Sequence, residues 1–140
     1  MAFTGNFSCN TLRSGLADGS INLTSDTFYL ALYTNNATLD QTTTEYTTTG
    51  EASGGDYVAG GLVVTATVSS EPTAAGSVTY VSFSSPAWTG QITARGALIY
   101  KAGANGAICV LDFGNDKTSS NTFTVTMPAN TSTSALIRLV

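Results

Sequence analysis

Short runs rich in β-branched and aromatic residues recur along this 140-residue chain, and in TFTVTM, 122–127, apolar and polar residues alternate with a period of two. That is the spacing of β-strands, whose successive side chains point to opposite faces. The stretch DTFYLALYT, 26–34, is the clearest strand, although 28–33 is apolar throughout. Phe28, Leu30 and Leu32 point one way, and Tyr29, Ala31 and Tyr33 the other. Both faces are apolar, so both must be covered, one by an opposing sheet and the other by a loop or a partner chain. Further strands are predicted over 62–70, ended by Glu71-Pro72, and over 76–85. The run 91–103 is another, with Gly96 inside it as a bulge or close backbone approach. Ala104-Asn105-Gly106 is a hairpin turn, because Asn-Gly accepts positive φ. The chain returns over 107–114, turns through 115–121, and forms a strand over 122–127 that Pro128 stops. A last apolar run, 135–140, must pair with its own sheet or with a neighbouring subunit.

Two segments break this pattern. Ser8 is placed to cap a short helix through Leu12 and Leu16 that ends near Gly19, and an extended arm over 1–25 is the competing reading. Residues 35–61 are rich in Thr and Gly and read as a long, partly extended loop, with Tyr46, Tyr57 and Val58 apolar enough to pin it to a surface. These elements predict one all-β domain over 1–140. It is an antiparallel β-sandwich, jelly-roll-like, of about seven or eight strands. Its expected core is Phe28, Leu30, Leu32, Leu98, Ile99, Val110, Leu111, Phe123 and Val125, with Trp88 anchoring one end.

Composition changes the picture of the surface. Only 10% of residues are charged, against about 25% in an average domain. Ser and Thr together supply 39 of the 140 residues, so the surface is polar through hydroxyls. Such a surface suits contact with other protein, since few charges need desolvating there. A net charge of −4 excludes the basic footprint of a nucleic-acid binder. No apolar run is long enough to span a bilayer, and residues 1–20 lack the pattern of a secretory leader, so no membrane partner is expected. Cys9 and Cys109 are too few for a disulfide framework. They read as two buried free thiols, with a single bridge as the alternative.

Candidate chemistry is sparse. The chain has no histidine, which removes the usual general base, the commonest metal ligand and the hydrolase triads. Asp112 and Asp116 flank DFGND, where a calcium site is conceivable, although Asp, Asn and Gly there suit turn chemistry. Glu45, Glu51 and Asp56 lie in the long loop with no orienting partner in sequence. Tyr33, Tyr46, Tyr57 and Trp88 read as anchors of a core or interface, with a sugar-binding platform as the alternative. No catalytic, cofactor-binding or metal-ligating residue is assigned.

Three stretches carry a resemblance: DTFYLALYTNNATLDQTTTEYTTTGEASGGDYVAGG (26–61), FSSPAWTGQITARGALIY (83–100) and VLDFGNDKTSSNTFTVTMP (110–128). Together they resemble small β-rich virion structural proteins of tailed bacteriophages. The resemblance implies a non-enzymatic capsid decoration (cement) protein that self-associates as a dimer or trimer and bridges major capsid subunits, assembled in the bacterial host cytoplasm. A tail, neck or fibre component is the alternative, and a carbohydrate-binding adhesin module is the rival from another class. On this reading the interface residues are Tyr46, Tyr57, Val58 and Val140, with the long loop ordered by contact with the particle.

Overall fold

The protein is described by a computed structural model that covers residues 3–139. Val140, an expected interface residue, lies outside the described residues. The elements run β1 (Phe7–Ser8), α1 (Asn10–Asp18), β2 (Phe28–Tyr33), β3 (Leu62–Val64), β4 (Ala66–Thr73), β5 (Gly76–Phe83), β6 (Ala87–Thr89), β7 (Thr93–Lys101), β8 (Ala107–Thr118), β9 (Thr122–Thr124) and β10 (Ile137–Leu139). A five-stranded sheet has the order β1-β8-β7-β2-β3, a three-stranded sheet the order β10-β5-β4, and β6 pairs with β9. Neighbouring strands are antiparallel throughout. This is the predicted all-β sandwich, with one short helix.

The two larger sheets meet through one apolar cluster. Phe28, Leu30, Leu32 and Ile99 of the five-stranded sheet pack with Val81, Phe83 and Ile137 of the three-stranded sheet. The rings of Phe28 and Phe83 meet edge to face at 5.7 Å. Trp88 and Phe123, directly paired between β6 and β9, close one end of this core.

The other face of β2 is covered as well. Ala31, Tyr33, Leu98, Tyr100 and Val110 form a second cluster with Phe3, Cys9, Ala37 and Leu39. Ala37 and Leu39 belong to the long loop, and both are fully buried. The loop is therefore the third layer of its own domain. It needs no partner chain to order it, which corrects the expectation that contact with a particle orders this segment.

Local departures from the sequence reading have physical causes. The helix is capped by Cys9 without a side-chain bond, and Ser8 lies in β1, where its Oγ accepts from Arg13. Gly19, at φ 82°, ends the helix as expected. Pro72 does not stop β4. It lies opposite Ser77 on the outermost strand of its sheet, where a missing N–H is tolerated. β8 continues to Thr118, so 115–118 is strand and not turn. β9 is shorter than expected: the Val125 N–H still donates in register to the Pro86 carbonyl, but Pro86 has no N–H to return the bond, so the ladder ends there. Leu111 is only partly buried.

Gly96 behaves as predicted: the register slips between Ala94 and Gly96. A Cβ there would lie 2.4 Å from the Leu111 carbonyl oxygen. Asn105 takes positive φ, 59°, in the hairpin turn. β10 finds its partner inside the domain, Ile137 opposite Val81, so the closing strand does not depend on another subunit. Cys9 and Cys109 are free and buried in different clusters. Burial pushes the Cys9 thiol up to about 12 and raises that of Cys109, so both are protonated thiols at neutral pH.

Leu30 is fully buried between the sheets. Leu30→Ala is expected to cost about 2–5 kcal/mol, read from the midpoint of urea unfolding. A cost within about 0.5 kcal/mol, the range of surface substitutions, would place Leu30 outside the core.

Candidate functional site

Two of the predicted site residues, Tyr46 and Tyr57, meet at one carboxylate. Glu51 lies opposite Tyr33, the last residue of β2, in an isolated bridge. Its Oε1 accepts from the Tyr46 hydroxyl at 2.6 Å. Its Oε2 accepts from the Tyr57 hydroxyl at 2.6 Å and from the Gly60 N–H at 2.7 Å. The Tyr57 oxygen in turn accepts the Leu32 N–H at 2.9 Å, and the Tyr100 hydroxyl donates to the Gly60 carbonyl at 2.7 Å. The Tyr33 hydroxyl donates to the Thr47 carbonyl at 2.6 Å. The expectation that Glu51 has no orienting partner is thus overturned. Both its oxygens are occupied, and they tie three points of the loop to each other and to β2.

The loop is also held by backbone bonds, Thr34 N–H to the Gly50 carbonyl and Ala52 N–H to the Leu32 carbonyl. Gly61 lets the chain leave the knot. At φ 79° it passes so close to β2 that a Cβ would strike the Leu30 carbonyl. Asp56 joins the loop to β6, with Oδ1 accepting from the Thr89 N–H at 2.8 Å. Glu45 is exposed.

The four aromatics do not form one platform. Tyr33 belongs to the outer cluster and Trp88 to the inner one, with the five-stranded sheet between them. Tyr46 and Tyr57 are half-buried on opposite clusters. This agrees with the reading of these residues as anchors and not as a sugar platform. Tyr46 instead stacks on Tyr100 at 4.9 Å, and Tyr100 on Tyr29 at 5.5 Å, a column that sequence spacing could not reveal. Val58 is 70% exposed, the most exposed large apolar side chain described.

Asp112 is also held internally. Arg95, the residue skipped by the bulge, places its Nη2 3.1 Å from Asp112 Oδ1, and Gly114 N–H donates to the same oxygen. Asp116 is exposed and joins none of these bonds. The structure does not bring the two aspartates to a common site, and among the described residues no three His, Cys, Asp or Glu side chains converge as metal ligands. Among the described residues no helix is long and apolar enough to cross a membrane.

Compared with known protein families, curated proteins and solved structures, the chain matches none.

Replacing Glu51 tests the knot. An amide keeps the shape but offers one acceptor oxygen where the carboxylate offered two. Glu51→Gln is expected to destabilise by about 1–3 kcal/mol, the cost of leaving partly buried groups unpaired. Amide exchange at Ala52 and Gly60 would quicken, whereas in the isolated parent protein these amides are expected to be protected. Fast exchange there in the parent would contradict the ordered loop.

The tyrosines set an alkaline limit. Burial raises the hydroxyls of Tyr33, Tyr46 and Tyr57, with the Glu51 charge adding to the rise, and pushes Tyr100 up to about 12. An unfolded tyrosine ionises near about 10, so above that pH the folded state holds more protons than the unfolded chain. Their stabilisation is complete below about pH 10 and is lost as pH rises toward the folded values. Unfolding midpoints are expected to fall above about pH 10, with the phenolate absorbance of these four tyrosines appearing together with unfolding. The chain has six tyrosines, so absorbance equivalent to more than two of them well before unfolding would contradict the four buried hydroxyls.

Proposed function

We propose that this protein is a non-enzymatic structural component of a tailed-bacteriophage virion. It is a capsid decoration protein that self-associates and bridges major capsid subunits to stabilise the shell. The observation that carries this reading is the distribution of polar and apolar groups. The carboxylates of Glu51 and Asp112 are engaged in holding the fold. Among the described residues, the large apolar side chains left exposed are Val58, Leu62, Val63, Val68 and Leu139. Val58 lies in the loop, and the other four lie on outermost strands of the two sheets. With a hydroxyl-rich, charge-poor surface around them, these side chains suit contact with protein in a lattice, where one weak contact is repeated many times. The resemblance of 26–61, 83–100 and 110–128 to virion proteins supplies the kind of lattice.

The deciding experiment adds labelled protein to particles that lack it and images them. Label over the whole shell supports decoration. Label at a single vertex assigns the protein to the neck or tail, and absence of label from the particle overturns the virion reading.

Tyr46 and Tyr57 keep their hydroxyls on Glu51 and leave Val58 as the loop's exposed contact. Val58→Asp is expected to weaken attachment to particles by about tenfold or more, with an unchanged circular dichroism spectrum. Attachment as tight as the parent's would remove Val58 from the interface.

A further inference from the structure

The sandwich is open along both of its long sides. On one side β3 and β4 are the outermost strands of the two sheets, joined through Thr65 alone, so 62–73 is one continuous free edge. On the opposite side β1 and β10 are outermost. Leu62 lies opposite Leu30 and Val68 opposite Val81, so both point to the inner, core-facing side of their sheets. They are nevertheless 40% and 37% exposed, because nothing described closes the sandwich there. Leu139, in the same row of its sheet as Thr79 and Ser70, is 46% exposed at the opposite side. Beside it a groove of about 370 Å³ runs between α1, β1 and β10, with Phe7, Leu16, Leu111 and Leu136 on its walls.

The two sides differ in charge. Residues 58–77 carry a single charged side chain, Glu71. The groove carries Arg13 and Arg138 and no acid. Arg95 and Lys101 pair with Asp112 and Asp26, whereas among the described residues Arg13 and Arg138 meet only the Ser8 hydroxyl and the Ser132 carbonyl. One edge is neutral and apolar with an acid near its end. The other is apolar with two guanidiniums. A two-fold contact would set like against like, whereas opposite sides complement each other.

We infer that copies of this chain join head to tail, the β3–β4 edge of one copy against the β1–β10 edge of the next. The free backbone of 62–70 extends the neighbour's sheets, Leu62 and Val68 continue its inner core over the groove, and Glu71 faces its guanidiniums. Pro72 limits how far the pairing runs toward the hairpin tip, as a proline does on an edge strand. The inference rests on the proposed self-association and names the surfaces that perform it.

Sedimentation equilibrium of the full chain over a range of concentrations tests it. Val68→Lys disables one edge and Leu139→Lys the other. Both positions are exposed, and circular dichroism checks that each variant folds. The parent is expected to grow beyond two copies, and each variant alone to remain a monomer. A mixture of the two variants retains one working junction and is expected to form a heterodimer and nothing larger. Arg138→Glu leaves the apolar rows intact and is expected to weaken association about tenfold. A parent that stays monomeric at every concentration overturns the inference. So does Leu139→Lys associating as the parent does, which would indicate a two-fold β4 contact. If a monomeric parent still decorates particles, the virion reading stands and the head-to-tail junction falls. If the assembly forms but binds no particle, the reverse holds.

Discussion

The constraint on which the rest of the structure depends is that β2 is apolar on both faces. A strand in the middle of a sheet can satisfy its backbone sideways, but its two rows of side chains must each find a cover. Phe28, Leu30 and Leu32 obtain theirs from the three-stranded sheet. Ala31 and Tyr33 obtain theirs from the loop that follows the strand, which folds back with Ala37 and Leu39 against them. The domain is thus a sandwich with a third, irregular layer. The Thr/Gly composition of the loop serves that role, since it must turn sharply and lie flat while exposing little that is apolar.

A layer without strands has no ladder to hold it, and each residue it orders costs about 1–2 kcal/mol of backbone entropy. Glu51 answers this by collecting bonds from Tyr46, Tyr57 and Gly60 on one carboxylate. Charge-assisted bonds of this kind are roughly twice as strong as neutral ones, so one acid accomplishes what several amides would otherwise do. Tyr57 extends the knot to the Leu32 N–H, and its ring packs on Trp88 at 5.5 Å. The loop, β2 and the closed end of the inner core are therefore coupled through a single side chain. In a chain so poor in charge, the partly buried Glu51 and Asp112 hold structure, and the surface is left largely to hydroxyls and a few edge-bound apolar groups.

Much of the strand layout is legible without coordinates. β2, the Gly96 bulge, the Asn105-Gly106 turn and the inward row of β9 follow from alternation and turn chemistry, which act over a few residues. The errors occur where long-range pairing decides the outcome. Pro72 looks like a stop until β4 is known to be an edge strand. Residues 115–118 look like a turn until β7 presents Thr93 and Ala94 to pair with Thr118 and Lys117. Cys9 takes the capping position that Ser8 was expected to hold because Ser8 is already drawn into β1 opposite Cys109.

The same division applies to the site. The sequence by itself determined that the protein is all-β, that β2 needs two covers, and that histidine chemistry is absent, because these follow from residue types and their local period. Only the tertiary structure decided what supplies the second cover. It also made Glu51 the centre of a tyrosine knot, stacked Tyr29, Tyr100 and Tyr46 in a column, and left Leu62, Val68 and Leu139 at open edges. Those outcomes depend on which distant strands become neighbours. Pairing between residues far apart in the chain leaves no periodic trace in the residues themselves.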